Sequence, residues 1–282
     1  MAKPQQSANT APTLSADEKD RNLRRLMREM ETVLVAYSGG VDSAYLALAA
    51  TEELGKNAVC ITGLSPSVSE VQREEAAKTA AEFNFNFQTI KTEELENPQY
   101  QANPANRCYH CKTELYGKLS TLAKDKKIKF VLDGTNADDV ADYRPGRAAA
   151  VENEVRSPFV EVGLSKNEIR ELSRKHGLST WDKPSSPCLS SRIAYGVPVT
   201  IERLSKVERG EQILRSFGFR EFRVRVHEEI VRLEIAPGEM ERALNLEVTE
   251  KLAAKFRRLG FKYVTLDLHG YRSGAMNEIL TK

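Results

Sequence analysis

The sequence has no long apolar run, almost no surplus of charge of either sign, and only 4 cysteines in 282 residues. Each shortage removes a class of protein. Without an apolar stretch of membrane-spanning length, no membrane partner is expected. Lys and Arg total 42 against 40 Asp and Glu, a net charge of +2, so no strong global field recruits nucleic acid or an anionic membrane surface. Four cysteines in so long a chain do not make a disulfide scaffold. A reducing, cytoplasmic setting is expected, where cysteines more often bind metal or catalyse. Residues 1–15 are polar, rich in Pro, Ala and Gln, and lack an apolar central region, so they read as a disordered lead and not as a signal peptide. No internal repeat is visible. The full chain is 40% hydrophobic and 29% charged, an ordinary soluble composition with room for one large and one small domain.

The chain is organised around one stretch. Glu31 to Tyr37 is a β-branched, apolar run, and Ser38-Gly39-Gly40-Val41-Asp42-Ser43 follows it. Ala44 to Ala50 then has helix-forming composition, so the order is strand, tight loop, helix. Glycines let the backbone approach a ligand closely, and loop N–H groups together with the positive end of the helix dipole make an anion site, most naturally for phosphate. The Walker spacing is absent. The six residues SGGVDS resemble the pyrophosphate-binding loop of the N-type ATP pyrophosphatase (PP-loop) superfamily, whose members cleave ATP between the α and β phosphates and adenylate a carboxylate or carbonyl oxygen.

Around this loop, amphipathic helices are expected over 16–30, 69–83, 109–124 and 165–176, with strands over 57–63, 85–92 and 128–133. Residues 97–107, 143–150 and 181–198 read as loops, the second basic and the third long and rich in Ser and Pro. Alternating strands and helices imply an α/β parallel sheet with ligands at the carboxyl ends of its strands. After Pro198 the order becomes helix (200–217), strands (220–227 and 230–235), helix (240–259), strand (261–268). The expected division is therefore a PP-loop domain over 16–198 and a small C-terminal α+β domain over 199–282.

Cys108 and Cys111 open the helix after the Asn/Pro loop. Two thiols three apart share a helix face and can share a metal, and a helix N-terminus lowers their pKa. Cys188 lies in the second long loop, and if both loops meet at the carboxyl edge of the sheet, three thiolates converge. Four readings stay open on spacing alone: a redox pair, structural zinc completed by a histidine such as His110, unrelated thiols, and an iron–sulfur cluster with one iron open. Cys60, mid-strand, reads as a core residue. His176, near a helix end, reads as a charge complement, while His227 and His269 stay unassigned.

SGGVDS, NRCYHCK, LDGTNADD, DYRPGR, KPSSPCLSSRIAYG, FRVRVHE and LHGYRSGAMNE, taken together, resemble the LarE family from about residue 20 to the C-terminus. These are ATP-dependent sulfur transferases that build the nickel-pincer nucleotide cofactor of lactate racemase. The resemblance implies a substrate, pyridinium-3,5-biscarboxylic acid mononucleotide, and a reaction in which each carboxylate is adenylated and then converted to a thiocarboxylate. In that family the cysteine of the PCLSSR segment, here Cys188, bears the sulfur. Members with that cysteine alone give up its own sulfur. Because Cys108 and Cys111 are also present, the chain is similar to the three-cysteine branch, in which a four-iron four-sulfur cluster carries an extra sulfide.

On this resemblance Ser38, Gly39, Gly40, Asp42 and Ser43 hold the pyrophosphate of ATP, with Mg2+ neutralising the phosphates. Asp42 either orients that shell or caps its helix. Asp133, Gly134 and Thr135 end a strand at the expected edge and line the adenylate pocket. Asp138 and Asp139 either face a metal or are solvated, the second being the expectation. Arg223 and Arg225 share a strand face and, with Glu211 nearby, are where the family likeness places substrate phosphate. Arg144, Arg147 and Arg192 are further candidates, and the turn at Tyr271-Arg272-Ser273-Gly274 closes the site or a subunit contact. A homo-oligomer is expected, and the sulfur donor is left unidentified. Two rival functions remain: a PP-loop enzyme that thiolates a tRNA base, disfavoured by the absence of a basic surplus, and a nucleotide-sensing module without catalysis. An amidotransferase would need a glutaminase domain or an ammonia source, and neither is visible.

Overall fold

A computed structural model describes residues 14–140, 145–184, 186–272 and 274–280. The expected disordered lead falls outside the described residues except for Leu14 and Ser15. Ser15 caps helix α1 (Ala16–Met30) through a capping box with Glu18. Leu23, Met27 and Met30 then recur on the buried face. Strand β1 (Val33–Ala36) leads through the Gly-Gly loop into α2 (Val41–Leu54). Next come β2 (Ala58–Leu64), α3 (Glu70–Glu82), β3 (Asn86–Lys91), the short α4 (Pro98–Gln101), α5 (Arg107–Asp125) and β4 (Phe130–Leu132). Three helices complete this part: α6 (Gly146–Glu152), α7 (Pro158–Val162) and α8 (Lys166–Lys175).

The four strands form an all-parallel sheet in the order β3-β2-β1-β4. Because side chains alternate across a strand, β1 supplies two cores at once. Val33 and Val35 pack with α1, α2 and α8 on one face, and Leu34 packs with Tyr116 and Leu119 of α5 on the other. This is the α/β architecture expected of a PP-loop domain. Cys60 is fully buried in β2, and burial pushes its thiol up to about 12.

The C-terminal part comprises α9 (Ile201–Ser216), β5 (Phe222–His227), β6 (Ile230–Ile235), α10 (Met240–Ala243), α11 (Leu246–Arg258) and β7 (Tyr263–Leu266). Its sheet runs β5-β6-β7, antiparallel then parallel. Val224, Val226 and Val231 of this sheet pack against Leu204, Val207 and Phe256. The same core takes in Tyr100, Leu189 and Ile193 from upstream. Among the described residues no helix is long and apolar enough to cross a membrane.

Three local expectations are corrected. The segment expected to be a loop over 143–150 is partly helix α6, because Ala149 and Ala150 of its alanine run bury against α5. Tyr143 and Arg144 lie outside the described residues. The helix expected over 240–259 breaks at Asn245, whose side chain accepts from the N–H groups of Glu247 and Val248 and starts α11 afresh. Helix α7 was not expected. Pro158 stands at its first turn and Gly163, in the left-handed region, ends it.

Glu168 ties the first helix to the last of the sheet domain. Its carboxylate closes a capping box with Ser165 and meets Lys19 of α1 at 2.7 Å. Burial alone would raise its pKa, but Lys19 and Ser165 together hold it below the usual carboxylate value. A depressed folded pKa means the contribution is complete above the unfolded value and fades as pH falls through the folded one. Glu168→Ala should therefore cost about 1 kcal/mol at pH 7 by urea unfolding. The difference from wild type should shrink towards zero below about pH 4.

Candidate active site

The Gly-Gly loop is held in shape before any ligand arrives. The Ser43 hydroxyl accepts from the Ser38 N–H at 3.1 Å, lies 3.0 Å from the Ser38 hydroxyl and donates to the Gly40 carbonyl at 3.1 Å. Gly39 has φ +77°, and a Cβ there would stand 2.7 Å from the Ala76 Cβ of α3. Gly134 allows a second close approach, since a Cβ at that position would sit 3.0 Å from the Ser43 nitrogen. The end of β4 is thus pressed against the start of α2, whose first turn, like that of any helix, carries N–H groups without intrahelical partners.

That loop forms one end of a cleft of about 700 Å³. Ser38, Gly40, Asp42 and Ser43 line it beside Asp133, Gly134 and Thr135, and Arg107, Cys108 and Lys112 of α5 form a second wall. Arg223 and Arg225 of β5, with Tyr271, form a third. Gly39 is turned instead towards Ala76.

Several carboxylates differ from expectation. Asp42 does not cap α2; Gly40 holds the cap position, and Asp42 pairs with Lys166 at 2.5 Å. Asp133 is saturated by Tyr116, Thr135 and Ser157, so it braces the strand end. Asp138 is exposed, as expected, and accepts from the Lys166 N–H. Asp139 is not solvated; it is buried and faces the cleft because the Asn136 N–H draws its carboxylate inward. Carboxylates Asp42 and Asp139 suit Mg2+, which is usually held by one or two carboxylates and the oxygens of phosphates.

The three thiols occupy one neighbourhood. Cys108 and Cys111 lie on the first turn of α5, and the charge of Cys188 acts on both. The long loop bearing Cys188 is held at both ends. The Leu189 N–H bonds Ser67 at 2.8 Å, Tyr100 bridges Ser67 and Ser190, and the Ala194 N–H bonds Val226 of β5. The pKa expectation is reversed: desolvation first, then Cys188, pushes the thiol of part-buried Cys111 above its usual range, and the same causes raise Cys108 although that residue is exposed at the surface. Desolvation outweighs a helix dipole, whose effect is about 2 kcal/mol at most. Arg107 and Lys112 pull Cys108 partly back.

Three soft thiols fit an iron–sulfur cluster by donor chemistry. Among the described residues no three metal-binding side chains yet surround a common point, so loading would require rotation of the thiols and release of their protons. His110 lines a separate groove on the outer side of α5 with Glu94 and Glu114, which leaves it poorly placed to complete a zinc site.

The arginines divide by task. Arg192 does not face ligand. Its guanidinium grips the carbonyls of Pro187 and Cys188 and pairs with Glu211 at 2.9 Å, the two side chains only 3% and 5% exposed. Glu211 is therefore the buried anchor of the Cys188 turn and forms no part of the cleft wall. Arg225 pairs with fully buried Glu234 at 2.8 Å and donates to the Ser191 carbonyl. Arg223 stacks on Tyr271, and Arg147 lines the cleft. Arg144 and Ser273 are outside the described residues. His176 ends α8 with its ring edge-on to Tyr45, and burial followed by Arg232 and Arg225 lowers the pKa of His227.

Removing Arg192 leaves buried Glu211, among the described residues, with only the half-exposed Arg215, 3.6 Å away. Arg192→Met should cost about 3 kcal/mol in urea unfolding, and the double variant Arg192→Met/Glu211→Leu should recover most of it.

Sequence reasoning passed over Arg107, Lys112, Tyr116 and Tyr195, all at the cleft, where Tyr271 of the turn expected to close the site or a subunit contact also lies. Lys112 was within reach: it follows Cys108 by four positions, so it shares that helix face. Its ammonium stands 5.0 Å over the Tyr116 ring. Tyr116, then Asp133 and Cys111, keep it more basic than usual against the pull of burial.

No protein-family model matches the chain. An uncharacterized protein of Synechocystis sp. is 44% identical over 94% of this chain and 99% of its own length. The pyridinium-3,5-bisthiocarboxylic acid mononucleotide synthase of Lactiplantibacillus plantarum is 34% identical over 94% of this chain and 95% of its own length. An uncharacterized protein of Methanocaldococcus jannaschii is 31% identical over 86% of this chain and 91% of its own.

Proposed function

The chain belongs to the LarE family, that of the pyridinium-3,5-bisthiocarboxylic acid mononucleotide synthase, and is an enzyme; from that premise we propose that it spends ATP to turn both ring carboxylates of pyridinium-3,5-biscarboxylic acid mononucleotide into thiocarboxylates. The product would be the sulfur-bearing precursor of the nickel-pincer nucleotide. One observation carries the reading: a single cleft is walled by the phosphate-type loop, by Cys108 and by a pair of arginines.

In this reading the loop N–H groups at Gly40 to Ser43 hold the β and γ phosphates, and Mg2+ is held by Asp139 and by Asp42, which parts from Lys166 to do so. A substrate carboxylate oxygen attacks the α phosphorus in line, and pyrophosphate leaves. No protein nucleophile is needed; the requirement is two reactants held together with their charge matched. Lys112, charged and between Asp133 and the thiols, meets the negative charge on the α phosphate and on departing AMP. Arg223 holds the substrate phosphate, with Arg225 fixing the strand that presents it. Cys108, Cys111 and Cys188 would hold a four-iron four-sulfur cluster, which when bound supplies sulfide from its open iron. Attack of sulfur on the acyl carbon expels AMP and leaves a thiocarboxylate.

The test is anaerobic. Purified protein with ATP and the biscarboxylate should catalyse substrate-dependent ATP–pyrophosphate exchange and yield product with sulfur in place of one oxygen at each carboxylate. Iron and sulfide should copurify and disappear in Cys108→Ala, Cys111→Ala and Cys188→Ala. Stoichiometric zinc without iron would end the cluster reading, and absence of exchange would end the adenylation reading.

A further inference from the structure

The proposed substrate has a feature that phosphate-binding arginines do not explain, since its aromatic ring is itself a cation. We propose that Tyr271 is the specificity-determining residue for that charge, giving its ring face to Arg223 in the free protein and to the pyridinium ring once the substrate phosphate takes Arg223. This rests on the proposed function and deepens it.

Tyr271 is placed firmly. Its N–H donates to the Ile235 carbonyl, at the end of β6, at 2.9 Å. Its ring lines the cleft and lies with the Arg223 guanidinium carbon 4.7 Å from its centroid, while the phenol oxygen is 3.3 Å from the same guanidinium. The aromatic face is thus already used to hold a cation, an arrangement favoured when the cation is partly desolvated.

Arg223 has reason to change partner. It is half-buried, and burial, then Arg192, lower its pKa, with Arg225 adding to them against the opposing pull of Tyr271 and Glu211. A quadrupole offsets that crowding weakly, whereas a phosphate offsets it strongly and bidentately. When phosphate draws the guanidinium away, the Tyr271 face is left open to another cation beside the arginine. A mononucleotide joins its ring to its 5′-phosphate through one ribose. A site that reads both ends therefore needs a π face adjacent to the phosphate arginine, which is the arrangement of Tyr271 and Arg223. A neutral ring of the same shape would bind the arginine equally and gain nothing from the tyrosine.

The test uses the full chain and two probes, each with a carboxylate and a 5′-phosphate: nicotinic acid mononucleotide, whose ring is cationic, and orotidine 5′-monophosphate, whose ring is neutral. Calorimetric titrations compare wild type, Tyr271→Phe and Tyr271→Leu. Wild type should favour the cationic probe, and Tyr271→Phe should match it. Tyr271→Leu should weaken the cationic probe roughly tenfold and the neutral one by less than about twofold. Equal loss for both probes, or no preference in wild type, overturns the proposal. A wild type that binds neither probe overturns the proposed function with it. Binding of the cationic probe that is unchanged in Tyr271→Leu overturns the role of Tyr271 alone.

Discussion

Cys188→Ser should abolish thiocarboxylate formation, by roughly a thousandfold or more, while substrate-dependent ATP–pyrophosphate exchange stays within about twofold of wild type. The separation follows from where the two halves of the reaction sit. In the proposed reaction adenylation would use the loop wall at Ser38 to Ser43, which lines the cleft, whereas Cys188 belongs to the turn clamped by Arg192. The clamp reads backbone and not the thiol: Arg192 donates to the Cys188 carbonyl at 3.1 Å, and the Ser191 hydroxyl donates to the same oxygen at 2.8 Å. A serine therefore keeps the turn and loses only the soft ligand. Mass spectrometry of the product, alongside exchange of labelled pyrophosphate, reads both halves in one sample. Thiocarboxylate persisting at more than about a tenth of the wild-type rate would remove Cys188 from the chemistry.

Gly39→Ala should lower ATP affinity by roughly a hundredfold or more, because it faces two obstacles at once. A left-handed φ of +77° costs a side chain about 1–2 kcal/mol. The added Cβ at 2.7 Å from Ala76 then forces α3 or the loop to move, at about 1–3 kcal/mol. Displacement of the loop breaks the Ser38–Ser43 bonds that aim its N–H groups. Gly55→Ala is the control: Gly55 has φ +55° with nothing within 4 Å. It should lose about 1 kcal/mol of stability and bind ATP as wild type does. Equal ATP affinity in the two variants, measured calorimetrically, would separate nucleotide binding from the shape of this loop.

The distinction between these glycines was partly visible in the amino acids. Strand, Gly-Gly loop and helix were legible at 31–50 because their signals are local: β-branched residues, then missing side chains, then helix formers. The cap at Ser165 was legible in the same way, standing before an amphipathic run, whereas the caps at Ser15 and Ser69 came from the structure. Helix α6 was misread because three alanines look like loop filler until α5 covers them. The pairing of Arg223 with Arg225 on one strand face followed from period two, and the Tyr271 turn was expected near the site, but nothing local showed that Tyr271 stacks on Arg223 from beyond β7.

From sequence alone came the α/β class, the strand–Gly-Gly loop–helix unit, the cysteine spacing and the family. Each depends on residues within a few positions of one another or on a shared pattern. Only the tertiary structure decided which charges are already committed: Asp42 to Lys166, Glu211 to Arg192, Arg225 to Glu234. It also decided that Cys108 and Cys111 are driven towards the protonated state and not away from it. The reason is that a charge takes its energy from burial and from neighbours brought across the chain, 124 residues away for Lys166 and Asp42. Nothing local records that encounter.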